Sequence, residues 1–358
     1  MSEMQWAIGL MSGTSLDGVD AALIRTDGKA LAERGAWLTI PYEDDFRDML
    51  QLAVQQSGDI PGIAQELTIL HAQAVKALLK QAGMSAQDVR VIGFHGQTID
   101  HRPDEGLTWQ IGNPSLLASM CGIDVVFDFR SKDLAEGGQG APLVPLYHAA
   151  LAKTLPKPLA ILNIGGIANV TWVDDDKNVP WILAFDTGPG NALINDMVLR
   201  RTGEPYDKGG VLAQSGKPDQ TALDGYLYDT YFASPPPKSL DRYDFGLEPV
   251  MHMETADAVA TLTTFTVEAV VKALAYFPQE PRQWLVAGGG RHNTALMDML
   301  KARLGNVALV EDVGWEGDAL EAQAFAYLAM RSLQKLPLSL PSITGVRHPV
   351  TGGAFYPA

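Results

Sequence analysis

The chain is 358 residues long, with 46% hydrophobic and 19% charged residues and a formal net charge of -15 at pH 7. That acidity argues against general binding to nucleic acid or to an anionic membrane, both of which need basic surfaces, and the single cysteine, Cys121, excludes an intrachain disulfide and reads as core. The length predicts two domains at roughly 150 residues each; with no basic, apolar leader and no membrane span read from the sequence, a cytoplasmic protein is expected.

In chain order, strand patterns fall at Trp6–Leu10, Val19–Thr26, Ala36–Ile40, Val89–Phe94, Leu107–Ile111 and Asp124–Phe127. Between them Ala64–Ala82 carries apolar residues at helical spacing. The Gly- and Pro-rich run after Phe129 predicts a hinge or working loop, and the domain boundary is placed beside it. This gives an N-terminal lobe of 1–135 and a C-terminal lobe of 136–345, with a tail of about 346–358 packing back on the first. The second half opens with strands at Leu159–Asn163, Ala168–Val173 and Trp181–Phe185, then a helix at Asn191–Arg200. Thr255–Tyr276 predicts a long buried helix. A strand at Trp284–Ala287, a Gly turn, a helix at Asn293–Leu304, a strand at Val307–Val310 and a helix at Asp318–Leu333 follow. Strands alternating with helices predict a layered α/β fold.

One pattern occurs twice. WAIGLMSGTSLDGVDAALIRTDG near the N-terminus and LAILNIGGIANVTWVDDD at the head of the second half both read as strand, Gly-rich turn, strand. Two such turns could hold a triphosphate between them, because glycine lets backbone N–H groups approach phosphate oxygens and hydroxyls add donors. The candidates are Gly13, Thr14, Ser15, Leu16, Asp17, Gly18, Val19 and Asp20 in the first copy and Gly165 and Gly166 in the second. The plain alternative is a pair of tight hairpins. Asp17 and Asp20 could also serve a Mg²⁺ held largely through water, which needs only one or two carboxylates near phosphates. Capping of the turn is the alternative for each. Gly288, Gly289 and Gly290 form a turn able to pass beneath an adenine or ribose. Neither a dinucleotide fingerprint nor a P-loop is present.

FDTGPGNALIND, Phe185–Asp196, brings Asp186 to a strand end before a sharp turn into a helix, a position suited to a general base. Its alternative is a turn cap. GFHGQTIDHRP gathers His95 and Gln97 on what reads as a polar loop, suited to a hydroxylated or acidic ligand. Arg130 can fork onto a carboxylate or stand in a surface ion pair. Glu316 and Glu321 open an apolar helix, either complementing its dipole or reaching a ligand.

With these pieces assembled, the chain resembles the anhydro-N-acetylmuramic acid kinases. The resemblance rests on GLMSGTSLDGVDAAL, HGQTIDHRP, FDFRSKDLAEGGQGAPLVP, NIGGIANVT, FDTGPGNALIND, PPPKS, AGGGRHN and GDALEAQAFAYLA, in family order across nearly the whole chain. It implies a duplicated, two-lobed fold of the actin-like and sugar-kinase ATPase type with an interdomain cleft. It also implies ATP and Mg²⁺ as cofactors and 1,6-anhydro-N-acetylmuramic acid as substrate, hydrolytically opened and phosphorylated on O6 for peptidoglycan recycling. By matching position, Gly13–Asp20 would meet the ATP phosphates, Asp186 would activate water, and Glu321 rather than Glu316 would contact the sugar. PPPKSLDRYDFG departs from the family's usual PPKSTGRE, so no role passes to the Pro235–Phe245 segment, and YDKGG at Tyr206–Gly210 departs from the usual YDKDG, which implies one acid fewer near the cleft. The rival readings are another sugar kinase of the same superfamily and a nucleotide-gated binding or scaffold ATPase; a homodimer is left open.

Overall fold

A run such as QWAIGLMS, apolar on both faces, suits a strand covered from both sides. In the computed structural model, which describes residues 3–13, 15–176 and 179–358, it forms β1 (Gln5–Ser12) at the centre of a sheet. β2 (Gly18–Thr26) and β3 (Leu31–Pro41) run antiparallel beside it. On its other side lie β4 (Val89–Arg102) and β6 (Val125–Phe127), both parallel, with β5 (Leu107–Ile111) paired antiparallel to the far end of β4. The tail strand Ala354–Tyr356 pairs antiparallel with β6.

The two faces of β1 are covered by different helices. Ile8 and Leu10 join one apolar cluster with Leu67, Val75 and Leu78 of helix Ile60–Ala82. That helix starts at an Asp59 cap, with Pro61 in its first turn, and ends at Gly83 in the left-handed conformation. Helix Leu320–Leu333 packs on β1, β2 and β4. Its approach is so close that a Cβ at Gly9 would lie 1.7 Å from the Ala322 carbonyl oxygen, and one at Gly93 2.1 Å from that of Phe325.

The second sheet contains β7 (Leu159–Ile164), β8 (Ile167–Asp176), β9 (Val179–Pro189), β10 (Gln283–Ala287) and β11 (Val307–Leu309). Its order is β11-β10-β7-β8-β9: β8 and β9 antiparallel on one side of β7, β10 and β11 parallel on the other. This repeats the order and sense of β6-β4-β1-β2-β3. The fold is therefore α/β and duplicated, and the repeated sequence pattern marks the first hairpin of each copy. Helix Thr255–Ala273, continued by a 3₁₀ turn to Tyr276, is long and apolar enough to cross a membrane. It packs on β9 and on four neighbouring helices, with most of its residues buried as a core helix.

Several boundaries differ from the sequence reading. The chain divides into one compact unit of Met1–Lys153 with Asp318–Ala358 and another of Thr154–Gly317, rather than near 135 and 345. Helix Leu320–Leu333 belongs to the first unit because Gly9 and Gly93 make room for it on that sheet. β4 continues through Arg102, so His95 and Gln97 stand on a strand and not on a loop; pairing with β1 and β5 satisfies its backbone despite the polar side chains. Helices Asp44–Val54, Pro114–Cys121 and Pro145–Leu151 were not foreseen. Residues Ser131–Ala135, read as part of a loop, form a short helix.

Candidate functional site

The β1–β2 connection leaves its small residues unencumbered. A Cβ on Gly13 would meet nothing nearer than Ser15 Oγ at 3.5 Å. Ser15 Oγ donates to Asp17 Oδ1 at 2.8 Å, and Leu16 N donates to the Gly13 carbonyl. Leu16 takes a positive φ of 55° with its side chain buried. Thr14 lies outside the described residues. Gly18 and Val19 also serve the packing of the sheet. A Cβ on Gly18 would sit 2.5 Å from the Ile40 carbonyl oxygen, and the Val19 side chain is in the core.

Asp20 accepts from Thr39 Oγ1 at 2.5 Å. Burial pushes its carboxyl up to about 6, against that hydrogen bond, and the acids Asp17, Glu321 and Asp318 push the same way. Glu321 is likewise raised by burial, with Arg130 opposing and Asp17 adding. Asp17 thus acts on both Asp20 and Glu321, and the Arg130 guanidinium is the cation that moderates Glu321.

Arg130 is held by two partners. Its Nη1 donates to the Gly140 carbonyl at 2.7 Å, while Nε and Nη2 donate to His95 Nε2 at 3.2 and 3.0 Å. His95 Nε2 is therefore the unprotonated nitrogen, and Nδ1–H donates to the Gly96 carbonyl at 2.9 Å. Burial and the adjacent guanidinium hold this imidazole well below its usual pKa, so it stays neutral. Burial brings Arg130 down to about 10, with Glu321 and Asp133 opposing. Asp133 fixes the neighbouring chain, accepting from Gly140 N and Thr344 Oγ1, both at 2.6 Å.

Gln97 is fully buried. Ser12 Oγ donates to its Oε1 at 2.6 Å; with that single proton used, Ser12 accepts from Tyr42 Oη at 2.7 Å. His95 and Gln97 were expected to meet a ligand directly. Both side chains are buried, His95 supporting Arg130 and Gln97 the end of β1. Tyr42 and Asp318 were missed, since nothing local marks them.

In the other unit the β7–β8 turn is a dock for the start of helix Ala192–Thr202. Gly190 N and Ala192 N donate to the Gly166 carbonyl, and Asn191 N donates to that of Gly165 at 2.7 Å. Gly190 is needed there, because a Cβ would lie 2.3 Å from the Gly165 oxygen. Gly165 and Gly166 keep their own Cβ directions clear, with nothing nearer than 3.5 Å. The triple glycine divides in the same way. Gly288 (φ +76°) and Gly290 are packed against Asn163 and Ile164, whereas Gly289 has open space.

Asp186 is half-buried on β9. Its backbone N–H donates to the Lys238 carbonyl at 3.1 Å, its carbonyl accepts from Tyr231 Oη, and its Oδ2 accepts from Leu240 N at 2.9 Å. Burial pushes the carboxyl up to about 7, and the Leu240 bond restrains it. This is a carboxylate poised to exchange a proton near neutrality. The strand runs on to Pro189 rather than ending at Asp186. Gly188 packs on helix Thr255–Ala273, where a Cβ would approach Ala269 to 2.6 Å. Residues 238–240, to which no role was assigned from sequence, supply two of the hydrogen bonds to Asp186. Burial also pushes the Cys121 thiol up to about 11, consistent with an inert residue.

The family profile described as anhydro-N-acetylmuramic acid kinase matches residues 5–358. An anhydro-N-acetylmuramic acid kinase of Rhodospirillum rubrum is 49% identical over 99% of this chain and 94% of the relative. One from Gluconobacter oxydans is 52% identical over 98% and 99%. Among solved structures, the activator of the 2-hydroxyisocaproyl-CoA dehydratase from Clostridium difficile with bound ADPNP is similar at a TM-score of 0.47 and 13% identity, over 92% of this chain and 97% of that one.

Proposed function

The chain belongs to the anhydro-N-acetylmuramic acid kinase family, and on that premise we propose which of its residues carry the reaction. The activity is an ATP-dependent one: the 1,6-anhydro ring of anhydro-N-acetylmuramic acid is opened with water and O6 is phosphorylated, giving N-acetylmuramic acid 6-phosphate. Another sugar kinase or a scaffold ATPase has no support from relatives this similar over their whole length.

The observation that carries the residue assignment is Asp186, a poorly solvated carboxyl near pKa 7 with one oxygen held by Leu240 N–H. As general base it takes a proton from water while the water oxygen bonds to C1 and the C1–O6 bond breaks. The electron pair left on O6 attacks the γ-phosphorus, and ADP departs. No separate general acid is needed, because the phosphoryl group captures the leaving oxygen. Ring strain in the bicyclic acetal assists the cleavage.

Arg130 is the group suited to the sugar's lactyl carboxylate, held in place by His95 and the Gly140 carbonyl. Glu321, raised by burial, is suited to a sugar hydroxyl. Backbone groups at Gly13, Gly165, Gly166 and Gly289, where Cβ space is open, suit close approach by a nucleotide. Asp17 and Asp20 would fit Mg²⁺ held largely through water, which needs only one or two carboxylates near phosphates; Asp17 adds to the rise of both Asp20 and Glu321, so the carboxylates influence one another. The ion would neutralise phosphate charge.

Incubation of the protein with ATP, Mg²⁺ and a panel of sugars, with mass detection, tests this reading. Joint gain of water and phosphate by the anhydro sugar is expected. ATP loss with every sugar recovered intact would contradict it.

A further inference from the structure

Lys238 is enclosed by rings that come from three distant parts of the chain. Its Nζ lies 4.4 Å from the Tyr231 ring centroid, 4.5 Å from that of Tyr276 and 5.8 Å from that of Phe185. It also donates to the Tyr231 carbonyl at 2.9 Å. The cage is itself anchored: Tyr276 Oη donates to the Phe232 carbonyl at 2.6 Å, and Phe185 meets Tyr276 edge-on at 5.9 Å. An ammonium surrounded by aromatic faces is attracted by their quadrupoles, the more so when partly desolvated.

The backbone on either side of this plug reaches Asp186. The Lys238 carbonyl accepts from Asp186 N, and Leu240 N donates to Asp186 Oδ2. Among the described residues Asp186 Oδ1 makes no hydrogen bond. We propose that Lys238 is a positioning residue, whose ammonium locks residues 238–240 against β9 so that Leu240 N–H holds Oδ2 and Oδ1 is the oxygen that receives the proton from water. The inference rests on the reading of Asp186 as base and assigns that base its orienting group. The cage spans Phe185, Tyr231, Lys238 and Tyr276, so the orientation of Asp186 is set by contacts that no local motif contains.

The charged and titratable groups near this carboxyl bear on its pH behaviour. Tyr231 faces Asp186, Asp244 and Tyr276, and its phenol is pushed well above its usual range, so it stays neutral throughout the working pH range. Lys238 is lowered by burial to about 8, so the cage weakens on the alkaline side.

The experiment compares wild type, Lys238→Met, Lys238→Arg, Asp186→Asn and the Lys238→Met/Asp186→Asn double variant in the full chain. Steady-state kinetics, pH profiles and hydrogen exchange of the Leu240 amide are read for each. Lys238→Met is expected to lower kcat by about 10- to 100-fold, the size of effect a misplacement of about 1 Å produces, with little change in KM for ATP. Its acidic limb should move to higher pH, because the bond that restrains the Asp186 pKa is loosened, and the Leu240 amide should exchange faster. Lys238→Arg should recover part of the rate, since rings accept a guanidinium. Adding Lys238→Met to Asp186→Asn should cost little more. An unchanged acidic limb and unchanged Leu240 exchange in a folded Lys238→Met protein would overturn the proposal. So would equal losses in Met and Arg variants with no movement of the limb. Full activity in Asp186→Asn would remove the base reading instead, while Leu240 exchange would still report whether Lys238 holds the segment.

Discussion

The two hairpins that repeat in sequence are the same element put to different uses. The strand order and sense around β1 and β7 agree strand for strand. Yet the β1–β2 turn carries the Ser15 hydroxyl and Asp17, with Gly13 open, while the β7–β8 turn spends its carbonyls on the N–H groups of Gly190, Asn191 and Ala192. The first unit keeps an acid cluster and a guanidinium held by a neutral histidine; the second keeps one desolvated carboxylate and the aromatic cage behind it. Duplication preserves the scaffold because strand pairing is a whole-sheet property. Turns and strand ends are free to diverge in chemistry.

The sharpest break between the units is expected from Asp186→Asn. A general base removed without change of shape costs roughly 10²–10⁴-fold in rate, and nucleotide binding should persist. A fall in kcat below about tenfold would move the base elsewhere. In the first unit Arg130→Ala removes charge-assisted hydrogen bonds worth about 1.5–3 kcal/mol, so kcat/KM for the sugar should drop at least tenfold while KM for ATP holds. Equal damage to both substrates would assign Arg130 to the fold alone.

Glycines separate packing from ligand approach within a single turn. Gly18→Val forces a side chain against the Ile40 carbonyl and should destabilise the protein by about 1–3 kcal/mol in denaturant titration. Gly13→Val has room, so it should fold normally and weaken ATP binding. A normal nucleotide dissociation constant in that variant would take the β1–β2 turn out of the phosphate site.

The smallest effect is on stability against pH. Asp186 has its folded pKa raised from 3.8 to about 7, so between those values the folded state binds more protons than the unfolded state. Its contribution is present below about 4 and is lost as pH rises through about 7. Asp186→Asn should therefore gain stability relative to wild type as pH climbs across that window. A parallel pair of stability curves would contradict the burial of this carboxyl.

Much of this was legible in the residues. The duplicated hairpin announced the duplicated sheet, and the tail strand paired with the first unit as its apolar, Gly-rich composition suggested. Asp186 stood out from its local setting. Other features were hidden for identifiable reasons. β4 reads as a strand followed by a polar loop, because His95 and Gln97 are polar yet bond to Arg130 and Ser12 inside the fold rather than to water. Helix Leu320–Leu333 is apolar around its circumference and names no partner; only Gly9 and Gly93, more than 220 residues earlier, decide which sheet it covers. The Lys238 cage is assembled from positions 185, 231 and 276, and sequence spacing says nothing of such a meeting.

In the proposed reaction, water activated by Asp186 attacks C1 while O6 takes the phosphoryl group. The most direct measurement runs the reaction in ¹⁸O-labelled water with early quenching, before the free anomeric hydroxyl exchanges with solvent. Label should enter the sugar at C1 and be absent from the transferred phosphate, and the first-formed anomer should be inverted at C1. Label in inorganic phosphate, with the anhydro sugar intact, would mean simple ATP hydrolysis and rule this reaction out.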